Sequence, residues 1–162
     1  MDLAVHHVGV TVTDLERSLA FYEGLGFRRA ATFGPPDGSR TIVQLALGDG
    51  MVELFAYRDG VAEMGAPVGP VAGLKHIGLT TEDVRATLAE LEAAGIVEPG
   101  IPVDETGSGI TMAFFTDPDG TSIELLSLRQ GAAFRGGACA FHDLTHQAAC
   151  VFRTASTAWA GV

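Results

Sequence analysis

At 162 residues, with 47% hydrophobic and 19% charged positions, the chain can bury a sizeable core as one domain or as two small units sharing one. Lys and Arg number 10 against 20 Asp and Glu, a formal net charge of -10; that field repels phosphate backbones and anionic lipid, which excludes nucleic acid and membrane as expected partners and leaves a small-molecule substrate. There is no uninterrupted apolar run of about 20 residues, no secretory signal at the N-terminus and no disulfide framework in Cys139 and Cys150, so the expected compartment is cytoplasmic.

The valine-rich alternation of Leu3–Val12 predicts a strand. Thr13-Asp14-Leu15-Glu16 has the form of a capping box, with Thr13 and Glu16 satisfying the first turn. Leu15, Leu19, Tyr22 and Leu25 then recur at helical spacing until Gly24 and Gly26 end the helix. Phe27–Phe33 reads as a strand and Gly34–Gly38 as a loop. Thr41–Leu47 and Met51–Tyr57 read as a hairpin about Gly48-Asp49-Gly50.

Residues 58–73, rich in Gly and Pro, read as a linker between a first unit at 1–57 and a second at 74–128. In the second, Leu74–Thr80 predicts a strand and Asp83 a helix N-cap; Val84, Leu88 and Leu91 form the helix face and Gly95 ends it. Ile96–Val103 reads as a short strand broken by Pro99, Gly100 and Pro102, and Glu105–Gly109 as a loop. Ile110–Thr116 and Thr121–Leu128 flank the turn Asp117-Pro118-Asp119-Gly120. Both units therefore have the order β-α-β-β-β.

The second unit repeats the first. His7-Val8-Gly9-Val10-Thr11 returns 69 residues on as His76-Ile77-Gly78-Leu79-Thr80, and Asp14, Leu19, Ala20 and Gly26 fall on Asp83, Leu88, Ala89 and Gly95. Repetition predicts a pseudo-two-fold architecture in which equivalent positions face each other and the units share their burial. Each unit also carries a glutamate in its last strand, Glu53 and Glu124, within an apolar stretch where a lone buried carboxylate is costly. Alternation alone would turn both outward. The paired offsets favour a different expectation, in which His7, Glu53, His76 and Glu124 form a divalent metal site. Imidazole and carboxylate suit Ni, Zn, Co, Mn or Fe, and the absence of cysteine argues against a closed structural zinc site. On a strand His6 and His7 point to opposite faces, and the repeat selects His7.

His7-Val8-Gly9-Val10, Asp14-Leu15-Glu16-Arg17-Ser18-Leu19-Ala20-Phe21-Tyr22 and Leu25-Gly26-Phe27 resemble the vicinal oxygen chelate superfamily. This group holds glyoxalase I, methylmalonyl-CoA epimerase, extradiol dioxygenases and the fosfomycin and bleomycin resistance proteins. His76-Ile77-Gly78, Phe115-Thr116-Asp117-Pro118-Asp119-Gly120 and Ile123-Glu124-Leu125 resemble it equally. The resemblance implies an α+β fold of two tandem βαβββ modules, a curved, cup-shaped mixed sheet around a metal whose ligands are His7, Glu53, His76 and Glu124. It also implies a homodimer, with the site within one chain or shared between two.

Of the family's reactions, ring-cleaving Fe(II) dioxygenases correspond to His7, His76 and Glu124 and generally have no carboxylate at the place of Glu53; the fosfomycin-type enzymes also lack it. Bleomycin-type proteins sequester a drug without metal. The His/Glu/His/Glu set resembles glyoxalase I and the epimerases. In those enzymes the metal holds two adjacent substrate oxygens and a glutamate shuttles the proton, a role that falls first to Glu124 and second to Glu53. Glyoxalase I commonly has an arginine four residues after its first ligand histidine, to bind the glutathione carboxylate. Here that residue is Thr11, which points away from the glutathione adduct, although Arg28, Arg29 and Arg40 are available. The extension at 129–162 fits no part of the repeat. Its Cys139, His142, His146 and Cys150 allow a second metal site, and Ala148, Val151, Phe152 and Ala155 an added helix with an apolar side.

Overall fold

The computed structural model describes residues 5–63, 72–106 and 109–128. The chain runs β1 (Val8–Val12), α1 (Leu15–Gly24), β2 (Arg28–Phe33), β3 (Arg40–Leu47), β4 (Gly50–Tyr57), β5 (Ile77–Thr80), α2 (Val84–Ala93), β6 (Val103–Glu105), β7 (Ile110–Thr116) and β8 (Ser122–Leu128). These build two four-stranded sheets, ordered β1-β4-β3-β2 and β5-β8-β7-β6. In each sheet the first strand lies parallel to the last and the other pairs are antiparallel. This is the α+β arrangement of paired βαβββ units, with both sheets open rather than closed on themselves. No described helix is long and apolar enough to cross a membrane.

Alternation assigns one face of each sheet to a shared core. Val10, Val12, Val43, Leu45, Val52 and Leu54 point toward α1, and Ala113, Phe115, Ile123 and Leu125 toward α2; all are buried in one cluster. The units meet across this helix layer. Phe21 of α1 packs edge-on against Phe115 of β7 with ring centroids 6.3 Å apart. A Cβ on Gly24 would lie 2.2 Å from Cδ1 of Ile96, so the end of α1 and the segment after α2 approach closely. Burial is therefore shared on the helix side, and the opposite face of each sheet stays open. On those open faces Phe33 and Phe114 are each 44% exposed.

Two sequence expectations are corrected. The N-cap of α1 is Asp14, whose carboxylate accepts from the backbone N–H of Arg17 at 3.0 Å, not Thr13. The Thr13 hydroxyl instead donates to Asp119, in the turn between β7 and β8. Residues 96–102 form no strand, and β6 begins only at Val103 and extends to Glu105. Pro99 and Pro102 have no N–H to give a ladder, which delays the strand until both are passed. Asp83 caps α2 as expected, accepting from Arg85 and Ala86 at 2.9 and 3.0 Å.

The Asp117–Asp119 turn ties the second unit to the first. Asp119 accepts from the backbone and hydroxyl of Thr13, from Ser18 and from Arg17, so the start of α1 is held from a site 101 to 106 residues away in sequence as well as by its own cap. The fully buried Tyr22 hydroxyl donates to Asp117 at 3.0 Å, and Asp117 also accepts from the backbone of Asp119 and Thr121. Burial first, and then the Asp117 carboxylate, push the Tyr22 phenol above its ordinary range, so it remains a donor. Because the folded pKa is raised, the phenol's contribution is intact below about pH 10 and falls as the pH rises beyond it. A Tyr22→Phe chain should lose about 1–2 kcal/mol at neutral pH by urea denaturation, with the gap to wild type narrowing above about pH 10. A gap that does not change with pH would show that the phenol is not the linked group.

Candidate functional site

The two histidines stand immediately before β1 and β5, the parallel edge strands of the two sheets. In each sheet the glycine two residues after the histidine lies opposite a glutamate: Gly9 opposite Glu53, and Gly78 opposite Glu124. The absence of a side chain matters at Gly9, where a Cβ would come within 3.1 Å of the Phe55 ring. At Gly78 a Cβ would stand 3.7 Å from Leu126 and 3.8 Å from Glu124 Oε2, ordinary contact distances.

This register brings His7 Nε2 to 3.3 Å from Glu53 Oε2, and His76 Nε2 to 2.9 Å from Glu124 Oε2. The four residues singled out by the repeat therefore come together as two pairs, through the same atoms in each unit. Among the described residues no three His, Cys, Asp or Glu side chains converge to hold a metal within one chain. His6 does not point away from His7: residues 5–7 lie outside the strand, and the two Nδ1 atoms are 2.9 Å apart. It is His7 that reaches the glutamate.

The glutamates are not outward, solvated residues. Glu53 is only 6% exposed, and its second oxygen accepts from Gln44 Nε2 at 2.7 Å. Gln44 stands directly opposite Glu53 in the β3–β4 ladder, and sequence reading missed it. The signal was present: a tight turn at Gly48-Asp49 pairs Leu47 with Gly50 and, counting outward, Gln44 with Glu53. In the second unit the equivalent position is Phe114, opposite Glu124. Its ring packs edge-on against His76 with centroids 5.7 Å apart. Glu124 has no hydrogen bond to a described residue beyond its contact with His76, and its side chain is 17% exposed.

Donor chemistry and spacing both suit a divalent cation. Two ligands bound at about 2.1 Å and at right angles are about 3 Å apart, and the two His–Glu separations are 3.3 and 2.9 Å. Each pair thus has the spacing of adjacent positions on one metal. Thr11 lies on the same face as Glu53, opposite Phe55, and brings no charge to it. Cys139, His142, His146 and Cys150 fall outside the described residues.

Residues 4–125 match the model of the family described as the Glyoxalase/Bleomycin resistance protein/Dioxygenase superfamily. The chain is 32% identical over 124 residues to the uncharacterized protein YwkD of Bacillus subtilis, covering 75% of this chain and 94% of that one. It is 32% identical over 133 residues to the lactoylglutathione lyase of Haemophilus influenzae, covering 76% and 92%. Among solved structures, glyoxalase I of Leishmania major, a trypanothione-dependent enzyme, is similar with a TM-score of 0.59 and 30% identity, over 78% of this chain and 87% of that one.

Proposed function

The chain belongs to the glyoxalase/bleomycin resistance protein/dioxygenase superfamily, and from that premise we propose that it is a metal-dependent enzyme of the glyoxalase/epimerase type. Its site comprises His7 and Glu53 of one chain with His76 and Glu124 of a second copy, in a homodimer that brings the open face of one sheet against the open face of the other. The observation that carries this reading is the pair of matched His–Glu contacts, each at ligand spacing and each incomplete alone. Exposed Phe33 and Phe114 on the same faces support the pairing, since a second copy would bury them.

A bound divalent metal would supply Lewis acidity, lowering the pKa of a C–H next to a substrate carbonyl. The chain's own residues divide the remaining work. Glu53 is clamped between His7 and Gln44, which fixes both of its oxygens. Glu124 keeps one oxygen without a partner among the described residues and stands opposite Phe114, so it is the carboxylate free to carry a proton. Phe114 packs edge-on against His76. With Thr11 uncharged, the substrate is a small molecule with two adjacent oxygens other than the glutathione adduct.

Chelator-stripped protein titrated in turn with Ni, Zn, Co, Mn and Fe should retain about one ion per chain, the count for four ligands drawn from two copies. Retention of none of the five would sink the proposal. A Gln44→Leu chain should bind its metal about 10-fold more weakly with an unchanged fold, because Glu53 loses the group that orients it.

A further inference from the structure

Arg28 opens β2 opposite Ala46, which shares its face of the sheet with Gln44 and hence with Glu53. Four of the other five described arginines are engaged. Arg17 bonds Asp119, Arg29 bonds Glu23, Arg85 bonds Glu105 and Arg58 bonds the Asp37 carbonyl. Arg40 adds to the backbone N–H of Ser39 in holding the Asp37 carboxyl below its ordinary value. Arg28 makes no hydrogen bond or ion pair with a described residue, in a chain with twice as many acidic as basic groups.

It borders a cavity of about 340 Å³ whose other walls are Gly26, Ala46, Leu47 and Gly48. No atom lies within 4 Å of where a Cβ on Gly48 would stand, so that wall is open space. Two strand spacings and two residues of rise separate Arg28 from Glu53, roughly 12 Å between Cα atoms. The floor between them is uncharged, consisting of Ala46, Ala31 and Gln44 with Ile42 and Phe33 alongside.

We infer that Arg28 anchors an oxyanion carried by the substrate, a carboxylate or a phosphate joined through a short apolar segment to the oxygens that react at the His–Glu site. The inference rests on the proposed reading of that site, and it narrows the substrate to an amphipathic anion. A guanidinium without a counter-charge among the described residues, set on the face that carries Glu53 and beside open volume, is matched by an anion held through paired N–H donors.

The test uses the full chain, chelator-treated, titrated with hexanoate, hexyl phosphate and hexanol and followed by NMR. One or both anions should bind about 10-fold tighter than hexanol, the scale of a charge-assisted hydrogen bond. That advantage should vanish in Arg28→Ala, return in part in Arg28→Lys and persist in Arg40→Ala. The anion with the larger advantage names the group. Equal binding of all three probes, or an advantage that survives Arg28→Ala, overturns the inference. No metal is present in these titrations. An Arg28-dependent advantage in a protein that takes up no metal would therefore leave the anchor standing and remove the metal reading. Metal uptake without that advantage would do the reverse.

Discussion

A Glu124→Gln chain is expected to fold normally, to retain metal through its amide oxygen and to turn over about 10²- to 10⁴-fold more slowly, the range for loss of a positioned general base. The matching Glu53→Gln chain should show the opposite division, with a larger loss of metal affinity and a smaller loss of turnover at saturating metal. The difference follows from their surroundings. Glu53 has both oxygens held, by His7 and Gln44, whereas Glu124 has one oxygen without a partner among the described residues. Elemental analysis beside turnover in D₂O, with deuterium incorporation into a panel of α-hydroxycarbonyl compounds and hemithioacetals, separates the two effects. If Glu53→Gln retains its metal and is the slower variant, the two roles must be exchanged.

Mixing those two defective chains should restore function. When each site takes one half from each chain, a Glu53→Gln chain paired with a Glu124→Gln chain forms one site with both defects and one with neither. Random reassociation makes half of the dimers mixed, so about a quarter of the wild-type sites should return. Neither variant recovers alone. Should each site lie within a single chain, every site would carry a defect and mixing would restore nothing. Reassociation after dilution below the dimer dissociation constant, with metal content and turnover measured before and after, gives the result directly.

Much of this fold is legible because the repeat writes it twice. Alternation of Val, Leu and Ile gives the strands, periodic Leu and Tyr give the helix faces, and the offset between His7 and His76 identifies equivalent strand ends. What escaped depends on contacts between distant residues. Nothing near Thr13 indicates that its hydroxyl is taken by Asp119, 106 residues away, which leaves Asp14 as the cap. Ile96–Val103 has strand-forming residues at both ends, but its prolines cannot join a ladder, and β6 forms only beyond them. At the candidate site, residue type and spacing pointed to His7, Glu53, His76 and Glu124, and the strands place them as two His–Glu pairs. Their arrangement as two pairs on two open faces depends on how the units meet through α1 and Phe115, which periodicity does not encode.

The substitution of Phe114 at the place of Gln44 has a stereochemical consequence. Two identical units related by a two-fold rotation would build a site indifferent between its two glutamates, able to accept a substrate in either direction and to exchange its proton at either face. One glutamate faces an amide and the other a benzyl ring, so the flanks differ in polarity and in freedom. In the proposed site, a prochiral carbon seated between them would meet, on one side only, a carboxylate with an oxygen unpaired among the described residues. Product formed there should have a single handedness, set by one residue in each hairpin.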